Sequence, residues 1–365
     1  MKIQDITSFL ETIAPPNLQE SYDNAGLLTG DRSWECTGII TTLDATEAVI
    51  LEAVQQNCNL VVAHHPIIFS GLKKINGKNY VEKTIITALK KDVAIYAIHT
   101  NLDNVLTGVN GKMADMLDLI NRQVLLPKKN MLKKLVTFVP LHQAHNLRDA
   151  LFSAGAGSIG NYSECSFNSQ GQGTFKGNAN THPYVGEKGK RHTENETKIE
   201  VIFPSWLENK VHEALVKAHP YEEVAYDIYT LDNVHQNVGS GITGELRHEM
   251  SEIEFLQLLK SSFGLSIIRH THLTGNNVKK IAICGGAGSF LIGAAVAAGA
   301  DFYVTGDVKY HEFFDANGRL VIADIGHYES EQFTIDLLFD ILSEKFPNFA
   351  VQKTGVKTNP VNYFG

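Results

Sequence analysis

Short apolar runs alternate with segments of helical period along the first third of the chain. Apolar residues at Ile3, Ile6, Leu10 and Ile13 recur at helical spacing and predict an N-terminal helix. Further along, the pattern predicts strands at 38–44, 60–65 and 93–98, with helices at 46–57 and 81–91. Strand–helix–strand units of this kind indicate a parallel sheet with helices on its faces.

The pattern changes after residue 127 and returns to its first form at residue 238. Between these points it predicts a strand, a helix, a polar hairpin with a loop, and then a strand, a helix and a strand, at 135–139, 147–154, 168–196, 199–203, 206–218 and 223–229. This is close to the ferredoxin-like order. We therefore predict an inserted ferredoxin-like α+β domain at 129–233, within a discontinuous α/β core formed by 1–128 and 234–365.

The last third of the chain repeats the strand–helix pattern of the first. It predicts strands at 281–284, 302–305 and 320–325 and helices at 290–298 and from 327 to about 342. The predicted fold class is α/β, with two similar α/β halves forming one core.

Composition and charge narrow the class of protein. The 365 residues are 43% apolar and 20% charged, with a formal net charge of −8, which disfavours a nucleic-acid-binding protein. The four cysteines stand far apart without a C-x-x-C pair, as is typical of a reducing compartment. Acidic residues interrupt the N-terminal helix, which argues against a signal peptide, and glycines divide the uncharged segment 281–300, which argues against a membrane span. We expect a cytoplasmic protein without a membrane partner.

His64 and His65 end a buried apolar run and precede Pro66. Functional groups collect beyond the carboxyl ends of parallel strands. Neighbouring side chains of an extended backbone point to opposite sides, so the two histidines could each serve one of two adjacent metal ions. On these residues alone, two loop histidines with ordinary hydrogen bonds remain an equal alternative.

Two more polar groups follow predicted strands of the same kind. Asp103 is a hard oxygen donor for a divalent ion, and His99 could be a ligand or could orient one. A turn or helix-cap role explains Asp103 equally well. His327 and Glu331 lie four residues apart on a predicted helix and so share one face, although such pairs also occur by chance.

Three other segments carry polar or glycine-rich clusters. Asp307, Lys309 and His311 follow the strand at 302–305 at the same predicted edge of the sheet. The glycine-rich segment 285–288 fits no nucleotide motif and favours close backbone packing at a tight turn. The segment 219–223, His-Pro-Tyr-Glu-Glu, favours a structural turn between a helix and a strand.

Taken together, these motifs resemble those of a known family. The matching stretches are 22–27 (YDNAGL), 63–66 (AHHP), 99–103 (HTNLD), 285–288 (GGAG), 305–311 (TGDVKYH) and 326–331 (GHYESE). The sequence resembles the Ngg-one-interacting-factor-three-like proteins, often labelled GTP cyclohydrolase 1 type 2 homologs. The resemblance implies a dinuclear metal site, a ring-shaped homohexamer and an insertion similar to the PII/CutA fold. It implies that the metal ligands are His64, His65, Asp103, His327 and a bridging Glu331.

Five such ligands leave open positions on two ions, as in catalytic rather than structural sites. The resemblance implies two divalent ions per chain, and nitrogen and oxygen donors without thiolate admit zinc, our first choice, as well as manganese, iron or cobalt. The leading hypothesis is a dinuclear metal-dependent hydrolase, GTP cyclohydrolase 1 type 2-like, in which metal-bound water attacks a nucleotide or another phosphorylated small molecule. His99 and His311 are candidates for catalytic support, and Asp307 and Lys309 for substrate binding.

Two other functions stay open. One is a non-catalytic, metal-binding hexameric scaffold or regulatory protein, whose ring and insertion would bind partners. The other is phosphodiester cleavage on nucleic acid, which the net charge of −8 disfavours.

Overall fold

The structure, a computed structural model, describes residues 1–364. The strands are β1 Gly26–Thr29, β2 Ile39–Asp44, β3 Leu60–His65, β4 Ala94–Ala97, β5 Ile120–Pro127, β6 Leu132–Pro140, β7 Phe167–Phe175, β8 His192–Pro204, β9 Tyr226–Leu231, β10 Gly239–Ser251, β11 Arg269–His270, β12 Asn277–Ala287, β13 Phe302–Gly306, β14 Val321–Asp324 and β15 Val351–Lys353. The α-helices are α1 Ile3–Ile13, α2 Glu47–Gln55, α3 Tyr80–Lys90, α4 Thr100–Asp103, α5 Val109–Met116, α6 Ala144–Ser153, α7 Glu208–Ala218, α8 Glu252–Phe263, α9 Ile292–Ala297, α10 His327–Glu331 and α11 Thr334–Lys345. None of the helices within residues 1–364 is both long and apolar enough to cross a membrane.

The chain divides into two compact units. Met1–Leu126 and the chain from Asn237 on form one unit, and Pro127–Gln236 form the other. The sequence expectation set these boundaries at 128/129 and 233/234.

The first unit contains a five-stranded sheet with the order β1-β4-β3-β2-β15. Its central strands β2, β3 and β4 are parallel, and β1 runs antiparallel to β4. Strands β2 and β3 are buried along almost their whole length, as continuous apolar runs in a parallel sheet require. The register pairs Asp44 with His65 at the carboxyl ends of β2 and β3.

A second sheet of the same unit repeats this plan. Its order is β11-β14-β13-β12-β10-β5, with β12, β13 and β14 parallel and β11 antiparallel to β14. Its core includes the edge-to-face pair Phe255 and Phe302, whose ring centroids lie 4.8 Å apart. Both sheets thus have a parallel, three-stranded centre whose strands follow chain order, with an antiparallel strand beside the last one.

The second unit is an antiparallel sheet covered by two helices. Its elements follow the order β6-α6-β7-β8-α7-β9, and its sheet has the order β7-β8-β6-β9. All three strand pairs are antiparallel, as the ferredoxin-like order requires. Leu147 and Leu151 of α6 and Val211 and Leu215 of α7 pack on this sheet.

Several predicted elements differ from those observed. The helix predicted from 327 to about 342 is two helices, α10 and α11, with the break at Gln332 and Phe333. The Gln332 side chain donates to the backbone oxygen of Phe263, and the Phe333 ring packs against the Phe263 ring, so tertiary contacts override the helical pattern. The glycine-rich turn predicted at 285–288 is also incorrect in part, because β12 continues through Gly285 and Gly286 to Ala287.

Candidate metal centre

The polar side chains of interest lie where strands of the two sheets of the first unit end. His64 and His65 close β3, and Asp103 closes α4, the short helix that follows β4. His327 and Glu331 are the first and last residues of α10, directly after β14. The carboxyl ends of the parallel strands therefore bring five residues from three separate stretches of chain to one place.

His64 is fully buried, and its ring has a fixed orientation. Its Nδ1 donates to the backbone oxygen of Ile98 at 2.9 Å, so the proton is on Nδ1 and Nε2 has a free lone pair. That Nε2 lies 3.6 Å from Oδ1 of Asp103 and 3.8 Å from Oε1 of Glu331. Within residues 1–364, neither His64 Nε2 nor Asp103 Oδ1 has a hydrogen-bond partner. A lone pair facing two carboxylates in a buried place is unfavourable, and a bound cation would relieve it.

His65 and His327 face the other oxygen of the same glutamate. Their Nε2 atoms lie 3.0 Å and 3.1 Å from Oε2 of Glu331 and 3.4 Å from each other. Each ring donates its Nδ1 proton to a carboxylate, Asp44 for His65 and Asp307 for His327, both at 2.8 Å. A histidine whose second nitrogen is held by a carboxylate is the usual arrangement of a metal-binding histidine.

Glu331 is therefore shared by two groups of donors. His64 and Asp103 face its Oε1, and His65 and His327 face its Oε2. The carboxylate lies against Gly286, where an added Cβ would stand 2.4 Å from Oε1 and where φ is +65°. Only glycine fits both the space and the backbone conformation at that position. The glycine-rich segment thus makes room for the carboxylate shared by the two groups.

The charges of these groups are strongly coupled. Burial opposes the ionisation of Glu331, but hydrogen bonds from His327 and His65, together with the nearby His64, hold its pKa well below its usual value. Burial also opposes charge on His65, yet the bonds to Asp44 and Glu331 raise its pKa to about 10. Burial and the neighbouring Glu331 raise the pKa of Asp103 to about 7. The centre thus favours positive charge on its histidines, which a divalent cation would supply in place of protons.

His99 lies at the edge of this centre. One of its ring nitrogens is within 4.8 Å of ring nitrogens of His64 and His65. Its Nδ1 donates to Asp23 at 2.8 Å, and Asp23 also accepts hydrogen bonds from the backbone and hydroxyl of Thr100. Burial raises the pKa of Asp23, but these bonds outweigh it and lower the pKa to about 2. Asp23 and His99 therefore form a carboxylate–histidine pair beside the donor groups.

The remaining predicted residues fall in different places. Asp307, with φ of +54°, bonds to His327 and so lies one step from the donor atoms. Lys309 and His311 are exposed, and the His311 ring packs against Tyr310 and Phe314 at 5.2 and 6.4 Å. No hydrogen bond joins either side chain to the five predicted ligands among the described residues.

Sequence reasoning did not assign roles to Asp23, Asp44 or Gly286. Asp44 ends β2 beside His65, so a register argument from two parallel strands could have paired them. Asp23 comes from a turn 76 positions before His99 in the sequence, and no local pattern connects them.

The donor set fits a divalent metal. It combines histidine nitrogens with carboxylate oxygens, contains no thiolate, and includes buried atoms that have no other partner. His64, Asp103 and Glu331 could hold one ion, and His65, His327 and Glu331 a second.

Fold and site define an α/β protein with a candidate histidine–carboxylate metal centre. A family model for Duf34/NIF3 (NGG1p interacting factor 3) matches residues 1–360, and the chain belongs to that family. The family resemblance inferred from the sequence motifs is thereby confirmed.

Curated relatives are similar over nearly the whole chain. The "GTP cyclohydrolase 1 type 2 homolog" of Halalkalibacterium halodurans is 40% identical over 365 residues, covering 99% of this chain and 98% of the relative. The protein of the same name from Bacillus subtilis is 39% identical over 327 residues, covering 89% and 88% of the two chains. Among solved structures, a Bacillus cereus protein related to NIF3 has a TM-score of 0.87 at 38% identity, covering 100% of this chain and 99% of that one. The Staphylococcus aureus protein SA1388 has a TM-score of 0.79 at 29% identity, with the same coverage.

Proposed function

We propose that this protein is a dinuclear metal-dependent hydrolase that acts on a nucleotide or another phosphorylated small molecule. The observation that carries this proposal is the position of Glu331, whose two oxygens face two separate sets of donors. A pair of divalent ions, zinc as first choice, would supply Lewis acidity and lower the pKa of water enough for hydrolysis at neutral pH.

The protein's own residues fix the donor atoms in advance. The Ile98 carbonyl, Asp44 and Asp307 each hold one histidine by Nδ1, so that three Nε2 atoms are already directed at Glu331. This supports catalysis because preorganised groups need not move as the reaction proceeds. The Asp23–His99 pair is positioned to hold or pass a proton at the edge of the centre, as a carboxylate-oriented histidine does in acid–base catalysis.

Two exposed aromatic rings favour a substrate that contains a ring. Phe69 packs at 6.4 Å from the His99 ring and at 6.3 Å from Tyr22, and the two aromatic side chains are 54% and 63% exposed. Exposed rings beside a polar centre can stack on a nucleobase. The name of the curated relatives, GTP cyclohydrolase 1 type 2 homolog, also points to a nucleotide. A purine nucleotide is therefore the first substrate to test.

The test begins with metal analysis of protein purified anaerobically, followed by a turnover screen of nucleotides and phosphoesters with the metal-loaded protein. We expect two divalent ions per chain and hydrolysis of at least one nucleotide. His65→Ala should remove one ion and turnover together, leaving about one ion per chain at His64, Asp103 and Glu331, since the His65 Nε2 contacts both Glu331 and His327. His145→Ala is the matched control, because His145 is exposed, lies on α6 of the second unit and pairs with Asp149. Turnover at the wild-type rate after complete metal removal would refute the hydrolase.

The alternative is a metal-binding scaffold or regulatory protein without turnover. The expected homohexamer and the resemblance of the inserted unit to the PII/CutA fold belong to both functions, so neither distinguishes them. Tyr22→Ala does distinguish them: a hydrolase should lose affinity for its nucleotide about tenfold, as loss of one stacking ring predicts, while metal content stays at two ions. Light scattering on the same samples measures the oligomeric state. A protein that keeps its metals and hydrolyses none of the compounds tested would favour the scaffold.

A further inference from the structure

The second unit contains a cavity of about 640 Å³ that is separate from the metal centre. Its walls come from β7, from β8, from the segment 177–184 and from the turn at 221–225. This volume is typical of a site for a small organic molecule. The sequence favoured a purely structural turn at 219–223, and that holds for His219, whose Nε2 donates to the Phe138 oxygen and whose Nδ1 accepts from the Tyr221 backbone. The last three residues of the same segment, 221–223, line the cavity.

Aromatic rings form much of the wall. Tyr221 packs at 6.1 Å from Phe175 and at 6.2 Å from Tyr184, and Phe138 also lines the cavity. Tyr184 is held from outside by His142, whose ring lies 6.4 Å away. The faces of such rings carry negative electrostatic potential and attract cations.

A carboxylate is built into the same wall. Glu196 lines the cavity although its residue is only 8% exposed. Tyr221 donates its hydroxyl proton to Oε1 of Glu196 at 2.8 Å. Within residues 1–364, this is the hydrogen bond that the Glu196 carboxylate makes, and Oε2 accepts none. Burial and the bond to Glu196 raise the pKa of Tyr221, so its hydroxyl stays protonated and continues to donate.

Gly173 on the neighbouring strand leaves the space that this carboxylate occupies. An added Cβ at that position would stand 2.1 Å from Oε2 of Glu196. A carboxylate oxygen without a protein donor at the wall of a cavity is an acceptor that a cationic ligand can use, in a charge-assisted hydrogen bond.

The other charges of the cavity add to the negative potential. Glu222 and Glu223 also line it, on the turn that carries Tyr221. The lining also contains two lysines, the exposed Lys176 and Lys198, and Lys198 is paired with Glu200, which lies outside the lining and pairs with Lys134 as well; three carboxylates thus outnumber two ammonium groups. The cavity is therefore suited to a positively charged ligand rather than to a phosphate.

We propose that this cavity binds an organic cation with N–H donors, an amine or a guanidinium compound. Its charged group would donate to Oε2 of Glu196, and its body would lie between the aromatic rings. The site belongs to the inserted unit alone, so the proposal stands or falls independently of the hydrolase.

The test is calorimetric titration of the full chain with two cationic probes, benzylamine and agmatine. Benzyl alcohol and benzoate are the matched neutral and anionic probes. We expect saturable binding of the cations and at least tenfold weaker binding of the other two compounds. Equal or tighter binding of benzyl alcohol or benzoate would overturn the proposal, and so would a lack of saturable binding of both cations at about 10 mM.

Two variants locate the site. Glu196→Gln keeps the shape and an acceptor for Tyr221 but removes the charge, and should weaken cation binding at least tenfold. Glu213→Gln, at an exposed position of α7 outside the cavity lining, should leave binding unchanged. Unchanged affinity in a folded Glu196→Gln protein would refute the assignment.

A further variant, in the aromatic wall, tests the proposal if Glu196→Gln does not fold. Tyr184 is 48% exposed, so Tyr184→Ala should leave the thermal transition in place and still weaken cation binding severalfold. Wild-type affinity in that variant would equally contradict the proposal.

Discussion

The two donor groups of the metal centre share one carboxylate but differ in their surroundings. On the side of Glu331 Oε1, the His64 side chain is 0% exposed and its Nδ1 is held by a backbone carbonyl. On the side of Oε2, the His65 and His327 side chains are 22% and 38% exposed, and carboxylates hold their Nδ1 atoms. The first group is enclosed at its histidine, although the Asp103 side chain is 26% exposed, whereas both histidines of the second group are open to solvent. We infer that the enclosed group retains its ion and that the open group exchanges ions and admits substrate.

The largest effect is expected where the two groups meet. Glu331→Gln removes the carboxylate that both groups use, so metal content should fall from two ions per chain to nearly none. Elemental mass spectrometry after dialysis measures this. Glu329→Gln lies on the same helix, α10, and should keep both ions, since Glu329 accepts from Asn359 instead. Two retained ions in Glu331→Gln would show that the carboxylate is not shared.

Next in size is the loss of one ion from one side. His64→Ala should leave about one ion per chain, at His65, His327 and Glu331, while His327→Ala should leave about one at His64, Asp103 and Glu331. A chelator should remove the retained ion faster from His64→Ala than from His327→Ala, because in His64→Ala that ion occupies the open group.

The same pair of variants should differ in folding stability. Without metal, His64→Ala should lower the free energy of unfolding by about 2–4 kcal/mol, since it leaves a cavity and an Ile98 carbonyl without its donor. His327→Ala, at a partly exposed position, should lower the free energy of unfolding by about 1 kcal/mol or less. Equal losses in urea denaturation would contradict the difference between a core group and an open one.

A smaller effect is expected from the residue that orients the open group. Asp307→Asn weakens the acceptor of His327 Nδ1 and should reduce affinity for one ion by about 10–100-fold, leaving the other unaffected. Competition with a coloured chelator gives both constants. Asp315→Asn, an exposed position in the segment Tyr310–Ala316, is the control. A change in the affinities for both ions by the same factor would mean that the two groups are not independent.

The smallest effect comes from the C-terminal segment that follows β15. The Thr358 hydroxyl donates to Oδ2 of Asp44 at 2.5 Å, on the carboxylate that holds His65. Thr358→Val removes this bond, worth about 1 kcal/mol, and should reduce the affinity for one ion about fivefold. Thr354→Val removes an equivalent bond to Glu52, away from the centre, and should change nothing in the same competition assay.

The sequence predicts the parts of this centre that depend on strand ends. His64, His65 and Asp103 follow buried apolar runs, and such runs end at one edge of a parallel sheet, so their proximity could be anticipated. The break at Gln332 could not be, because it depends on contacts with Phe263 from a remote helix. The hydrogen bonds that set the tautomers of His99 and His327 could not be predicted either, because Asp23 and Asp307 contact these rings only in the folded chain.

The same limit explains the cavity in the inserted unit. Strand β7 has mostly exposed positions and a polar, glycine-rich sequence, which is typical of a loop. Its pairing with β8 places Phe175 near Tyr221 and Gly173 beside Glu196, and no local pattern contains that information.

The spacing of the donors along the chain has a consequence for biosynthesis. Positions 65 and 331 are 266 residues apart, and the bond from Thr358 comes still later. A ribosome would release the residues of the His64–His65 strand long before the glutamate that both donor groups need. During that interval the histidines have no partner carboxylate on α10, so metal loading belongs to the completed chain rather than to the nascent one.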